Sequence, residues 1–246
     1  SLQVLTAVRH ERAAFPLPSE IADGAADSDP SVPAEPGPGE GVAEPVDCAQ
    51  AKCVALTLDD GPVPGTATVL DLFAKEKVRA TFFVLGRNAK AHSKLIRRMI
   101  AEGHLVGNHS WSHPEFWKTS KAKIRKQLVR TDRLLAALGA RPTLMRPPYG
   151  EWDARVAAVT RSLDLAAILW SVDPVDWRSR NTKKVVKQVL RQVKRGSIIL
   201  THDSLKPTRK AYPAIIKGLR AKGYTLVTVT ELLDGNLRAG KRYFRA

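Results

Sequence analysis

The chain has 246 residues, of which 43% are apolar, and its 40 basic and 24 acidic side chains give a formal net charge of +16. This length suits one large domain or two small ones, and no apolar run approaches the length of a membrane span. The positive charge predicts attraction to a polyanion, either nucleic acid, a teichoic-acid-bearing cell wall or an anionic membrane face, although the lack of zinc-finger spacing and of an aromatic-rich RNA-binding motif disfavours nucleic acid.

Residues 1–47 differ in composition from the rest of the chain. They contain seven of the 16 prolines, nine of the 24 acidic residues and only two of the 40 basic residues, with no period that could bury a face. We interpret them as a flexible acidic tail or linker, because such a composition cannot offset the entropy lost on ordering. Residues 48–246 therefore carry 38 basic and 15 acidic residues, a formal charge of +23, and are expected to form the folded domain.

The two cysteines, Cys48 and Cys53, lie at the start of this folded part. A zinc site would need further Cys or His at close spacing, so a local disulfide fits better and suggests an oxidising compartment. A pair of free thiols is the alternative. The sequence begins with Ser1 rather than Met, and we expect that an export signal or anchor has been removed.

Apolar β-branched runs alternate with segments of helical period along residues 48–246. We predict strands at 54–59, 80–85, 104–109, 143–146, 166–170, 197–201 and 225–229. Helical periods occur at 66–78, 93–103, 124–140, 154–164, 182–196 and 212–223, with Gly103, Gly139, Gly196 and Gly223 where helices should end. The alternation predicts a parallel β/α architecture, either an open sheet or a barrel.

Polar side chains close several of these strands, at the edge where β/α proteins bind ligands. The first strand ends on the motif "TLDDGP", in which Asp59 and Asp60 are adjacent. Two neighbouring carboxylates repel each other near an apolar core, so a cation should lie nearby. A surface turn is the alternative for this motif alone. It becomes unattractive because other predicted strands also end on polar groups, namely His109, Arg146, Trp170 with Asp173, and His202.

The motif "HSWSHP" places His109 and His113 four residues apart. Pro114 disfavours a helix at His113, so we expect a loop or short turn. Such a pair is weak evidence by itself, but with Asp60 it makes an Asp-His-His set that leaves positions open on a divalent ion, as catalytic zinc sites require. The same donors also suit non-haem iron oxygenases, so they do not settle the reaction.

Three further residues narrow the chemistry. Asp59 would lie beside the bound water as a general base. Arg146 in "RPPYG" could hold Asp59 through a bidentate pair, although a rigid loop is the alternative for that motif alone. His202 in "LTHD" lies at the end of the sixth strand, where "DPVDW" (173–177) supplies orienting carboxylates. Base, acid and metal together indicate hydrolysis of an acyl group, whereas an oxygenase would need neither acid nor base.

The ordered set "TLDDGP", "HSWSHP", "RPPYG", "DPVDW" and "LTHD" resembles the five motifs of the NodB-type polysaccharide deacetylases, carbohydrate esterase family 4. The match spans roughly residues 52–232. Each motif is weakly specific, but all five in order are strongly specific. The resemblance implies a distorted (β/α) barrel of about seven parallel strands, hydrolysis of acetyl groups on polysaccharides, and a divalent metal, Zn²⁺ first, with Co²⁺, Ni²⁺ or Mn²⁺ as alternatives.

By position, the resemblance also implies roles for individual residues around the metal. Asp60, His109 and His113 match the metal ligands of the family. Asp59 looks like the catalytic base, and Arg146 matches the arginine that holds it.

The remaining roles implied by the resemblance concern the substrate and the leaving group. The backbone N–H of Tyr149 corresponds to an oxyanion donor. His202 matches the general acid, with Asp176 as its partner. Trp177 and Leu200 resemble walls of the pocket for the acetyl methyl group.

One departure from the family pattern is Leu58, which stands where Phe is usual; we expect adjusted packing and intact chemistry. A basic catalytic domain behind an acidic spacer suits a monomeric enzyme, secreted or in the cell envelope, acting on N-acetylglucosamine of peptidoglycan and not on nucleic acid. Chitin oligomers and acetylated xylan are the alternative substrates. A non-catalytic glycan-binding module is a remote alternative, because every catalytic position is filled.

Overall fold

The computed structural model describes residues 46–246, so the predicted tail at 1–47 falls, except for its last two residues, outside the described part of the chain. A disulfide joins Cys48 to Cys53 just as the first strand begins. Within residues 46–246, no helix is both long enough and apolar enough to span a bilayer.

Within the described part of the chain, eight strands form one parallel sheet, and all seven predicted strands belong to it. They are β1 (Cys53–Asp59), β2 (Thr81–Val84), β3 (Leu105–Asn108), β4 (Leu144–Met145), β5 (Ala166–Ile168), β6 (Ile198–His202), β7 (Thr225–Val227) and β8 (Arg242–Tyr243). Among the strands of residues 46–246, only β8 was not predicted, because the sequence around it, "GKRYFRA", contains no run of apolar β-branched residues.

The strand order is β6-β1-β2-β3-β4-β5-β8, with β7 also pairing with β1. The sheet curves into an incomplete barrel, and Val172, just beyond β5, makes a parallel bridge to Ile199 of β6. The prediction of a distorted β/α barrel is thereby confirmed. Asp59 is paired with His202 in the register of β1 and β6, so two motifs that are distant in sequence end side by side.

The helices cover the outside of the sheet. They are α1 (Thr66–Lys75), α2 (Gly86–Ala91), α3 (Ser93–Ala101), α4 (Lys121–Ala137), α5 (Ala154–Ser162), α6 (Asp176–Ser179), α7 (Thr182–Gln192), α8 (Lys206–Arg209), α9 (Tyr212–Ala221) and α10 (Val229–Leu232). The six predicted helices are present, whereas the short α2, α6, α8 and α10 were missed. Gly103, Gly139 and Gly223 have positive φ directly after α3, α4 and α9, as predicted for helix ends. Helix α7 instead ends at Gln192, four residues before Gly196.

The alternation of side chains along β1 explains how the fold directs Asp59 into the barrel interior. Val54, Leu56 and Leu58 belong to the core cluster that also contains residues of the covering helices. Leu58 is thus packed in a helix-facing layer, as expected for an apolar replacement of Phe. Thr57 and Asp59 alternate with these residues and therefore face the barrel interior. All seven residues of β1 are buried, which is typical of a parallel strand covered on both faces.

Candidate active site

The five motifs meet at the carboxyl ends of the strands, around one cavity of about 490 Å³. Eight of the ten predicted site residues line this cavity: Asp59, Asp60, His109, His113, Tyr149, Trp177, Leu200 and His202. The other two, Arg146 and Asp176, are completely buried. Each contacts a residue that lines the cavity, as described below.

The adjacent carboxylates Asp59 and Asp60 face different partners because the backbone reverses between them. Asp59 is the last residue of β1 and only 2% exposed. Asp60 has a left-handed backbone with φ 69°, a conformation that Asp tolerates better than most residues. The side-chain amide of Asn88 donates to the Asp60 carbonyl at 2.7 Å and holds this turn in place.

Arg146 crosses the barrel interior and contacts Asp59 through one nitrogen. Its Nη1 donates to Asp59 Oδ1 and to Thr57 Oγ1, both at 2.7 Å. Nε and Nη2 donate instead to the carbonyl oxygens of Ile168 and Leu169, at 2.9 and 3.1 Å. The prediction of a bidentate pair is therefore wrong. The other two nitrogens of Arg146 donate to backbone carbonyls at the end of β5, and Asp59 Oδ2 accepts no hydrogen bond from the arginine.

This buried pair sets the electrostatics of Asp59. Burial raises the pKa of the Asp59 carboxyl, and the positive charge of Arg146 opposes that rise. The guanidinium carbon lies 4.3 Å from the centre of the Phe83 ring, so an aromatic face covers the cation. Asp59 Oδ2 lies 3.7 Å from His109 Nε2. The free oxygen of Asp59 thus points to the same region as the histidine nitrogen.

Three donor atoms, Asp60 Oδ1 and the Nε2 atoms of His109 and His113, form a compact set. Each imidazole nitrogen lies 3.6 Å from Asp60 Oδ1, and the three atoms fall within 4.8 Å of one another. Tetrahedral ligands about 2.1 Å from a zinc ion would be roughly 3.4 Å apart. Asp60 Oδ1 is buried and has no hydrogen-bond partner among the described residues. A divalent cation fits these donors and would satisfy the unpartnered oxygen.

The surroundings of the two histidines prepare them as ligands. Nδ1 of His109 lies 2.7 Å from the carbonyl oxygen of Arg146, which can only accept, so Nδ1 carries the proton and Nε2 keeps its lone pair. Burial lowers the pKa of His109 to about 3, and the ring is neutral at physiological pH. His113 has φ 62°, and its N–H donates to Ser110 Oγ at 3.0 Å. As predicted, it lies in a loop.

His202 is held from behind by Asp176. Its Nδ1 is 2.8 Å from Asp176 Oδ1, and its backbone N–H donates to Oδ2 at 2.9 Å. The same carboxylate accepts from the Trp177 N–H at 2.9 Å and the Thr208 hydroxyl at 2.8 Å. Burial lowers the pKa of His202, but the hydrogen bond and charge of Asp176 outweigh it and raise the pKa to about 9. The cationic imidazole is therefore the stable form at neutral pH.

Aromatic side chains form the mouth of the cavity. Tyr149 and Trp177 are 61% and 53% exposed, which is unusual for large rings and leaves their faces open to a ligand. The Tyr149 ring centre is 4.5 Å from that of His113, and Tyr149 has φ 57° within a short 3₁₀ turn, Pro148–Gly150. Leu200 lies on β6 and lines the cavity next to His202.

Three supporting residues were missed in the sequence. Thr57 binds Arg146, and Thr208 binds Asp176. Asp203 is fully buried, accepts a hydrogen bond from Thr66, and has a pKa raised by burial to about 7. The period-2 pattern of β1 could have indicated that Thr57 faces the same way as Asp59. Nothing local in the sequence marks Thr208, because its partner is 32 residues away.

A buried carboxylate, a set of metal donors and a histidine held by a second carboxylate share one cavity at the carboxyl edge of a β/α barrel, an arrangement typical of a metal-dependent hydrolase. Comparison with known proteins specifies the class further. The model of the family described as polysaccharide deacetylase matches residues 47–168. The chain belongs to the polysaccharide deacetylase family.

Individual proteins that resemble the chain are also described as deacetylases. The chain is 41% identical over 195 residues to the peptidoglycan-N-acetylglucosamine deacetylase PgdA of Listeria monocytogenes, covering 78% of this chain and 41% of that protein. It is 36% identical over 203 residues to a chitooligosaccharide deacetylase of a Bradyrhizobium species, covering 76% and 93%. A solved structure described as T48 deacetylase with substrate has a TM-score of 0.77 and 40% identity, covering 80% and 99%. The chain thus spans about two-fifths of the length of PgdA.

Proposed function

We propose that residues 48–246 are a catalytic domain that removes acetyl groups from N-acetylglucosamine residues of peptidoglycan. One observation carries the proposal: Asp59, His202 and the three metal donors line the same cavity. Similarity to PgdA supports the choice of peptidoglycan. The charge of +23 on these residues also suits an anionic cell wall.

Asp60, His109 and His113 would hold the divalent cation, with Zn²⁺ as the first choice and Co²⁺, Ni²⁺ or Mn²⁺ as alternatives that accept the same donors. When bound, the cation would polarise the acetyl carbonyl and acidify water. Asp59 Oδ2, which Arg146 leaves free, would accept a proton from the attacking water. Burial strengthens Asp59 as a base by raising its pKa.

The other side of the reaction needs a proton donor for the departing sugar nitrogen. His202 would supply it from Nε2, because Asp176 occupies Nδ1 and keeps the ring protonated. The backbone N–H of Tyr149 would stabilise the developing oxyanion. Trp177 and Leu200, at the cavity wall, would enclose the acetyl methyl group.

The proposed substrate places the enzyme outside the cytoplasm, in the envelope or secreted. The disulfide between Cys48 and Cys53 supports an oxidising compartment. We further propose that the domain acts as a monomer and has no nucleic-acid partner.

The test is acetate release from peptidoglycan, chitooligosaccharides and acetylated xylan under identical conditions, with the chelated protein before and after adding each of the four metals. We expect the highest kcat/KM on peptidoglycan and no release without metal. A preference for chitooligosaccharides would favour the alternative that the Bradyrhizobium relative suggests. No release from any polymer with any metal would leave the glycan-binding module as the better reading.

A further inference from the structure

A basic groove adjoins the cavity on the side of His202. It encloses about 530 Å³ between the start of α7 and the helix α8. Its lining includes four cationic side chains and no carboxylate: Arg180, Lys183, Lys206 and Lys210. All four are exposed, and none takes part in an ion pair within residues 46–246.

The groove is continuous with the catalytic cavity. Arg180 lines both, and the chain passes directly from Ser204 and Leu205 in the cavity to Lys206 and Pro207 in the groove. A polymer that places one sugar in the cavity therefore has a neighbouring unit or substituent within reach of the cations.

The groove is also fixed relative to the catalytic histidine. The Thr182 hydroxyl donates to the Pro207 carbonyl at 2.9 Å and ties α7 to α8. The Thr208 hydroxyl, one residue further, donates to the Asp176 carboxylate that holds His202. These two hydrogen bonds fix the cations near α7 and α8 relative to His202. An anion bound by those cations would therefore also have a defined position relative to His202.

Resting on the proposed function, we propose that this groove binds the carboxylates of the acidic peptide carried by a sugar next to the acetylated one. Every second sugar of a peptidoglycan strand carries such a peptide, whereas chitin has no anionic substituent. Four uncompensated cations repel one another, and carboxylates would relieve that repulsion. The groove would make the enzyme prefer peptide-bearing strands over bare glycan.

The test compares wild type with a K183Q/K206Q/K210Q variant. Arg180 is left unchanged because it also lines the catalytic cavity. The probes are solubilised glycan strands with their peptides and the same strands after an amidase has removed the peptides. Both kcat/KM for acetate release and Kd by calorimetry are measured at low and high ionic strength.

At low ionic strength we expect wild type to prefer peptide-bearing strands and the variant to lose about tenfold in kcat/KM and in affinity for them. Neither value should change on bare strands, and high salt should remove the difference. A K75Q/K90Q/K94Q variant, with exposed lysines on α1, α2 and α3, makes the same charge change away from both cavities. It should behave as wild type.

Equal losses in both triple variants would assign the effect to overall charge and overturn the proposal. An equal loss on bare strands would also overturn the proposal. Free teichoic acid and free peptide are finally compared as competitors of peptide-bearing strands. Stronger competition by teichoic acid would indicate a phosphate site and overturn the proposal as well. If wild type with metal releases acetate from neither strand, the proposed function fails, and the two Kd values still decide whether the groove binds the peptide.

Discussion

Replacing Asp176 by Asn tests the assignment of His202 most directly, since the change alters one atom at a fully buried position. The carboxylate accepts four hydrogen bonds, two on each oxygen. An amide keeps one accepting oxygen and turns an NH₂ group towards two former donors. The Thr208 hydroxyl and the His202 ring can adapt, but the backbone N–H groups of His202 and Trp177 cannot, so one loses its acceptor. That loss should cost about 1–3 kcal/mol of stability.

The larger effect is on the proton of His202. Its pKa is about 9 against an ordinary 6.5, and the difference corresponds to roughly 3 kcal/mol in favour of the protonated ring. Without the hydrogen bond and the negative charge of Asp176, only the smaller effects of the Asp59 and Asp60 charges oppose burial, so the pKa of His202 should fall well below 9. Loss of a positioned general acid typically reduces rates about 100- to 10,000-fold. We expect a fall in kcat at neutral pH within that range.

Two measurements check this. NMR titration of the metal-free protein should show His202 titrating near 9 in wild type and at a clearly lower pH in the Asn variant. A pH profile of acetate release with metal present should show the alkaline limb moving to lower pH in the variant. Thr208→Val is the matched control, because it removes one hydrogen bond to Asp176 and keeps the charge. Its limb should stay close to that of wild type.

The same shift makes stability depend on pH. Folding favours protonated His202, so its stabilising contribution is complete below pH 6.5 and disappears as the pH rises through about 9. The unfolding free energy of the metal-free wild type should therefore drop across this window relative to the Asn variant. An unchanged alkaline limb together with parallel stability curves would refute the role of His202 as an acid held by Asp176.

Three further substitutions test other parts of the site. Asp59→Asn should abolish acetate release while calorimetry still detects metal binding, and retained turnover would rule Asp59 out as the base. Because this substitution leaves the Arg146 charge buried without its partner, it should also lower the free energy of unfolding by about 3–5 kcal/mol. His113→Ala should weaken metal affinity at least tenfold in a competition with a chelating dye, and unchanged affinity would remove it from the ligand set. Gly61→Ala should lower the thermal midpoint, because a Cβ there would lie 2.6 Å from Asp203 Oδ1; a midpoint equal to wild type would show that the loop adjusts.

The sequence predicted the elements that carry a strong local period. Seven strands and six helices were predicted from alternation and amphipathic spacing, and the structure contains all of them. The misses are short: β8 has two residues, α2 has six, and α6, α8 and α10 have four each. Such segments are held by tertiary contacts, so their own residues carry little signal.

The site residues could also be selected from local features of the sequence. Asp59, Asp60, His109 and His113 could be selected because each stands at the end of a predicted strand or in the loop after it, where β/α proteins place their ligands. Their order along the chain and the resemblance to one family supplied the chemistry. These predictions needed no knowledge of the distances between the side chains.

Only the tertiary structure decided which hydrogen bonds connect those groups. The sequence predicted a bidentate pair between Arg146 and Asp59. In the structure, Arg146 shares its donors among Asp59, Thr57 and the backbone at the end of β5, so it leaves one carboxylate oxygen of Asp59 without a contact to the guanidinium. Likewise, the raised pKa of His202 comes from Asp176, which is buried and lies 26 residues earlier in the chain. Strand periods are fixed by neighbours in sequence, whereas desolvation and hydrogen-bond sharing depend on groups that meet only when the sheet curves into a barrel.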